Sequence, residues 1–270
     1  MAHATPWSLD AEVFPIIGMV HLAPLPGSPR AEHSVHEIAE LAVADARALL
    51  DGGVAALLVE NYGDTPFVPR RVDAITVAAM SVIVARIVAL SPAPVGVQVL
   101  RNDALSALAI AAATGARFIR VNVFAGLAVA GEGLLRGESH AIMRRRRAIG
   151  ARVEVWADFR AKHAAPLGER DAKVELAELS GRAGADAIVV SGAATGSAPD
   201  AEYLASVRHA APGARLVLGS GLAEGNAAAL APFVDAAIVG TSVKQGGITS
   251  NPVDAARVRR LVDAARSARR

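Results

Sequence analysis

Eight short apolar runs alternate with eight helix-patterned segments, glycine-rich stops separate helix from strand, and no compositional break divides the 270 residues. Together these predict an α/β fold, a single closed (β/α)8 TIM barrel spanning residues 1–270 with its core at roughly 10–265. The apolar runs lie at 16–22, 55–61, 95–100, 118–124, 153–159, 187–191, 216–219 and 236–240. The helical patterns, rich in Ala, Leu, Arg and Glu, lie at 35–50, 74–90, 104–114, 139–149, 170–182, 201–209, 225–231 and 254–268. Asp51-Gly52-Gly53, Thr114-Gly115-Ala116 and Ala183-Gly184-Ala185-Asp186 each stop a helix just before a strand, as helix C-caps do.

Composition narrows the function classes. Apolar residues make up 53% of the chain, enough for a large core, and the formal charge is only +2. Basic residues concentrate at Arg144–Arg147 and along the C-terminal helix, from Arg257 to Arg270, but aromatics are only 4%. Nucleic-acid binding needs stacking aromatics beside its basic stripe, so these read as solvated helix faces and no nucleic-acid partner is expected. No cysteine is present, which removes disulfides, thiol nucleophiles and thiolate metal sites. The N-terminal residues lack signal-peptide order, and the longest apolar stretch, 74–90, carries Arg86 and is too short to span a membrane. A cytoplasmic protein with no transmembrane segment is expected.

Active sites of such barrels gather at the C-terminal ends of the strands, so the polar residues there are the informative ones. The first run ends in His21, followed by a proline-rich turn to Pro29. The second ends in Glu60-Asn61, then Tyr62-Gly63-Asp64. The third runs into Arg101-Asn102-Asp103. The fourth carries Arg120 and Asn122 on one face, and the fifth Glu154, Trp156 and Asp158, with Lys162 and His163 just beyond. The sixth ends in Ser191-Gly192, followed by Thr195-Gly196-Ser197. Strand parity turns Val121, Val123, Val153 and Val155 toward the helices and leaves Arg120, Asn122, Glu154 and Asp158 inside. Arg120 and Glu154, on neighbouring strands, are the expected internal ion pair, since either charge buried alone costs several kcal/mol.

The seventh and eighth runs end in Gly219-Ser220-Gly221 and Gly240-Thr241-Ser242. Glycine and hydroxyl residues at these two consecutive strand ends expose backbone N–H groups, and in the last two units of a barrel such turns bind phosphate. All six residues are candidates, with Ser191 and Gly192 extending the cradle; tight turns alone are the plainer alternative. Asp158, Lys162, His163 and Glu60 are the catalytic candidates for acid–base work, with an ion pair that orders the loop as the alternative for the first three. Lys162 could also form a Schiff base with a carbonyl substrate. His21, Asn61, Arg101, Asn102 and Asn122 suit binding of an anionic or hydroxylated substrate. No cofactor is required by the sequence; a divalent metal is compatible with His21, Glu60 and Asp158, although no H-x-x-x-H or H-E-x-x-H spacing is present. The alanine-rich helix exteriors are suited to homo-oligomer docking.

Seven motifs in order, Ile17-Gly18-Met19-Val20-His21-Leu22-Ala23-Pro24-Leu25-Pro26-Gly27, Glu60-Asn61-Tyr62-Gly63-Asp64, Leu100-Arg101-Asn102-Asp103, Arg120-Val121-Asn122-Val123-Phe124, Lys162-His163-Ala164, Ser191-Gly192-Ala193-Ala194-Thr195-Gly196 and Val239-Gly240-Thr241-Ser242, resemble the BtpA/SgcQ family over roughly residues 10–265. The resemblance implies a ribulose-phosphate-binding-type barrel. The family's founding association is with biogenesis of the photosystem I membrane complex, while other relatives look like sugar-metabolism proteins; neither implies a mechanism. The loop 125–132 departs from the family pattern, lacking the Thr and Asp expected there, so no role carries over to it. The expected function is an enzyme acting on a phosphorylated sugar or related metabolite, with a non-catalytic assembly factor for a membrane complex as the alternative.

Overall fold

The computed structural model describes residues 14–168, 170–192 and 198–268. Eight parallel strands close into a barrel: β1 (Ile16–His21), β2 (Ala56–Glu60), β3 (Val95–Gln98), β4 (Phe118–Val121), β7 (Glu154–Phe159), β9 (Ala187–Val190), β10 (Leu216–Leu218) and β11 (Ala236–Val239), with β11 pairing back onto β1. The strands are short, as a barrel's are, and each hands over to an outer helix. These are α1 (Val35–Asp51), α2 (Ala74–Leu90), α3 (Ala104–Thr114), α4 (Ser139–Ala148), α5 (Ala172–Ala177), α6 (Ala201–Ala210), α7 (Ala227–Leu230) and α8 (Ala255–Ser267). The (β/α)8 fold expected from the sequence is the fold observed.

Two apolar layers hold it. Residues at alternate strand positions, such as Leu57, Val59, Val97, Ile119 and Val121, pack outward against the helices. The other parity fills the barrel with Ile17, Met19, Leu58, Phe118, Trp156 and Val217. Phe118 and Trp156 stack with ring centroids 4.0 Å apart, and Gly96 is what lets them fit: a Cβ there would sit 2.2 Å from the Phe118 ring. Because the period is two, the inward positions that follow this apolar layer are the polar strand-end residues His21, Glu60, Gln98, Arg120 and Asp158.

Three local features differ from the sequence reading. The stretch after β4 is not a plain loop but an antiparallel hairpin, β5 (Leu127–Ala130) and β6 (Gly133–Arg136), joined by β8 (Ala164–Pro166) into a three-stranded sheet beside the barrel mouth. The expected helix at 170–182 is α5 continued by a π-helical turn, Glu178–Arg182. The expected helix at 225–231 is a single α-helical turn, α7, flanked by 3-10 turns.

Candidate active site

The closed barrel corrects the expected internal ion pair. In the β4–β7 register Phe118 lies opposite Glu154 and Arg120 opposite Trp156, so Glu154 is a layer below Arg120. Glu154 instead accepts from the Trp156 indole at 2.9 Å and pairs with Arg215 at 3.3 Å, at the far end of the barrel. Arg120 pairs with Asp158 through two bonds, Nε to Oδ1 at 2.8 Å and Nη2 to Oδ2 at 3.2 Å. Asn122 donates a third bond to Asp158 Oδ2 at 2.8 Å and accepts one from Gln98 at 3.3 Å. With both oxygens engaged and the residue 4% exposed, Asp158 is the clamp that sets the Arg120 guanidinium, not a base facing the mouth. Burial works against the charge on Arg120, but Asp158, aided by Glu60, holds it above its ordinary pKa.

Above this clamp lie two adjoining cavities. The smaller, about 180 Å³, is lined by Gly219, Ser220, Gly221, Gly240, Thr241 and Ser242, six of the eight residues expected from sequence to bind phosphate; Ser191 and Gly192 do not line it. The larger, about 670 Å³, opens over the ends of β1, β2 and β3. Five side chains line both and form the seam between them: His21, Glu60, Tyr62, Arg120 and Lys162. Two strand-end glycines make room for this arrangement. A Cβ on Gly219 would meet Ser191 Oγ at 2.2 Å and Arg120 Nη2 at 3.1 Å; one on Gly240 would meet the His21 ring at 2.8 Å.

The seam is electrostatically tuned. Burial raises the Glu60 carboxyl above the usual carboxylate range, against the pull of Arg120 and Lys162. Burial, followed by the charge of Arg120, lowers the Lys162 amine to about 8. Burial, with Lys244 and Lys162, lowers His21 to about 3, so its imidazole is neutral at physiological pH. Its Nε2 lies 3.9 Å from Glu60 Oε1 and its ring 4.7 Å from that of Tyr62. A carboxyl pushed up and an amine pulled down at one seam have proton affinities closer together than in water, which favours proton transfer between a substrate and the pair.

The remaining sequence candidates separate into mouth and frame. Arg101 lines the large cavity, ion-pairs with Glu132 at 3.7 Å and donates to the Lys162 carbonyl. His163, exposed at the rim, is lowered from its ordinary pKa by burial of part of its ring and by Arg101 and Lys162. Asn61 and Asn102 line neither cavity. Asn61 bonds Leu100 N at 2.7 Å and Asp64 at 2.9 Å, and Asn102 bonds Val123 N at 2.8 Å, Val123 O at 3.1 Å and Arg136 O at 3.2 Å. Both tie loops together. Ser191 touches Arg120 at 3.5 Å, and Gly192 lines a separate cleft beside His163. Thr195, Gly196 and Ser197 lie outside the described residues. Among those described, no three His, Asp or Glu side chains come close enough to hold a metal; the trio of His21, Glu60 and Asp158 is broken by the Arg120 clamp.

Sequence reasoning missed Tyr62 and Lys244 as mouth residues. Lys244, 2% exposed, pairs with Asp45 of α1 at 2.5 Å and lines the large cavity. One signal was available: the chain contains only three lysines among 28 basic residues, and two of them, Lys162 and Lys244, stand at the mouth.

Fold and site together define a (β/α)8 barrel with a polar, glycine-walled site at the C-terminal ends of its strands. The chain belongs to the BtpA family, whose sequence pattern matches residues 12–267. It is 43% identical over 250 residues to the photosystem I biogenesis protein BtpA of Synechocystis, covering 93% of this chain and 87% of that one. It is 40% identical to an uncharacterized protein of Thermococcus kodakarensis, covering 97% and 98% of the two chains. Among solved structures, it resembles one titled native KDPGal (TM-score 0.62, 15% identity, 98% of both chains). It also resembles N-(5'-phosphoribosyl)anthranilate isomerase from Pyrococcus furiosus (TM-score 0.58, 14% identity, 94% of this chain and 99% of that one). At such identity these structures establish the barrel and nothing finer. No helix among the described residues is long and apolar enough to cross a membrane.

Proposed function

We propose that the protein is a cytoplasmic single-domain enzyme acting on a phosphorylated sugar or related metabolite. Its phosphate lies in the chamber between the β10 and β11 ends, and its reacting carbon lies at the seam. The observation that carries this reading is the placement of Glu60 and Lys162, with oppositely shifted proton affinities, on the seam joining a glycine-lined chamber to a larger one. Glu60 would take a proton from carbon or hydroxyl, and Lys162 would return one to the neighbouring oxygen. Arg120, fixed by Asp158, would neutralise charge developing between them. Isomerisation, epimerisation and aldol-type cleavage all use this set. The phosphate is held by backbone groups of the two glycine turns and the hydroxyls of Ser220, Thr241 and Ser242.

Calorimetric titration with a panel of sugar phosphates tests it. Micromolar to millimolar binding is expected, lost in Ser242→Asp, which brings an anion into the phosphate chamber. Failure of every sugar phosphate to bind the intact barrel would overturn the proposal. In deuterium oxide, Glu60→Gln should abolish exchange at the substrate carbon while leaving binding.

The name of the cyanobacterial relative favours a second reading, a non-catalytic factor in building a membrane complex. On that reading Glu60→Gln and Lys162→Met would leave function in the host cell intact. Homo-oligomer assembly is part of the proposal in either case. α2 and α3 carry a single charged residue, Arg86, and their exposed stripe includes Ile75, Val82 and Ala109. Light scattering of Val82→Glu reads it, with dissociation expected.

A further inference from the structure

The larger chamber is mismatched to a simple sugar phosphate. A five-carbon sugar phosphate occupies roughly 200 Å³ at close-packed density. Its phosphate already belongs in the 180 Å³ chamber beyond the seam, yet the chamber on the near side measures about 670 Å³. The walls also carry apolar patches that a polyol would leave unused. Leu22, Pro24, Ile38, Leu41 and Phe67 supply broad apolar surface, and Tyr62 adds a second aromatic ring at the seam. Charged groups share the lining, with Glu60, Arg120 and Lys162 at the seam and Arg30 and Arg101 elsewhere on the wall. Gln98 Oε1 and His21 Nδ1 are buried with no hydrogen-bond partner among the described residues, and the Lys244–Asp45 pair stands against the chamber from the α1 side. Broad apolar patches bordered by polar and charged groups suit a flat ring system with hydrogen-bonding edges. A buried oxygen left unpaired, as on Gln98, is costly unless a ligand donor meets it.

We propose that the ligand is a sugar phosphate bearing a planar heteroaromatic ring, as in a nucleoside monophosphate. The phosphate occupies the chamber at the β10 and β11 ends, the sugar crosses the seam beside Glu60 and Lys162, and the ring fills the large chamber against Tyr62 and Phe67. This rests on the proposed function for the phosphate position and adds the class of group attached to the sugar. It also fits the division of the site: one chamber is small and walled by glycine and hydroxyl residues, while the other has the room and the apolar patches for a ring with polar edges.

The test compares inorganic phosphate, ribose 5-phosphate, adenosine 5'-monophosphate and uridine 5'-monophosphate by calorimetry on the intact protein. At least one nucleotide is expected to bind tenfold or more tightly than ribose 5-phosphate. Phe67→Ala, at the chamber wall and away from the seam, should weaken the nucleotide at least fivefold and leave ribose 5-phosphate unchanged. Ser242→Asp should weaken both. Equal affinity for ribose 5-phosphate and both nucleotides, or nucleotide binding indifferent to Phe67→Ala, overturns the ring assignment and leaves the sugar-phosphate reading standing. Absence of binding by all four compounds overturns both.

Discussion

Replacing Asp158 by alanine should cost far more stability than its single carboxylate would suggest, because it strands Arg120. The two side chains are 4% and 1% exposed, and Asp158 supplies both short bonds that the guanidinium makes. Without it Arg120 keeps, among the described residues, a long contact to Ser191 at 3.5 Å and the more distant charge of Glu60. Breaking a buried pair from one side typically costs about 3–5 kcal/mol, whereas replacing both partners by apolar residues is often near neutral. For a chain of 270 residues that single loss corresponds to roughly 5–9 °C in Tm. Urea unfolding followed by fluorescence measures it, since Trp156 is fully buried and stacked on Phe118 one layer below the pair. The double variant Arg120→Met/Asp158→Leu should recover most of the stability and still bind no phosphorylated ligand. A loss below about 1 kcal/mol in Asp158→Ala would refute the reasoning, for it would mean that Arg120 reaches water or another anion at little cost.

Three further outcomes are expected. Because the His21 pKa falls from 6.5 to about 3 on folding, its contribution to stability is complete above pH 6.5 and is lost as pH falls toward 3. Glu60, raised on folding, contributes in the opposite sense, present below about 4.5 and lost as pH rises through its folded value. Between pH 6.5 and 4.5 the His21 contribution should therefore fall by up to about 1.4 kcal/mol per pH unit as pH is lowered while Glu60 opposes it, and urea midpoints of His21→Asn should fall less with acid than those of the parent, or rise. Competitive acylation of the three lysines should give Lys162 a midpoint near 8, and a midpoint above 9.5 would remove it from the proton-transfer role. Gly96→Ala places a methyl 2.2 Å from the Phe118 ring and should cost about 1–3 kcal/mol, partly recovered by adding Phe118→Leu.

How much of this was legible in the sequence depended on which physical rule set each feature. The barrel and the six residues that line its smaller chamber follow from local pattern, alternation of strand and helix and glycine at strand ends, and local pattern is in the chain itself. Face assignment was legible for the same reason: the period-two parity that turns Arg120, Asn122 and Asp158 inward needs no partner strand. The partner of Arg120 was not legible, because it depends on the register between β4 and β7, which closure of the whole barrel decides. That shift of one layer moved the ion pair from Glu154 to Asp158 and changed Asp158 from a base into a clamp. The hairpin β5–β6 escaped notice because Leu127-Ala128-Val129-Ala130 has little polar alternation; its exposed face carries Leu127 and Val129. Asn61 and Asn102 looked like ligand-binding residues because an amide beside a strand end suits a ligand or a backbone equally. Only the loop paths show which it meets.

Those loop paths carry a consequence of their own. Asp64 accepts from Leu25 N at 2.7 Å, linking the first rim loop to the second. Asp103, with no exposure, accepts from Arg71 at 2.7 Å and Val72 N at 3.0 Å, linking the second to α3. Asn102 links the third to the hairpin, Arg101 links it to the Lys162 loop, and Lys244 links the eighth back to α1 through Asp45. These described rim loops are lashed to one another like the hoops of a cask, and the entropy of ordering them is settled when the chain folds. A ligand arriving here need not recruit its own walls, so little of its contact energy is diverted into freezing loops. Affinity should then vary with the fit of the two chambers.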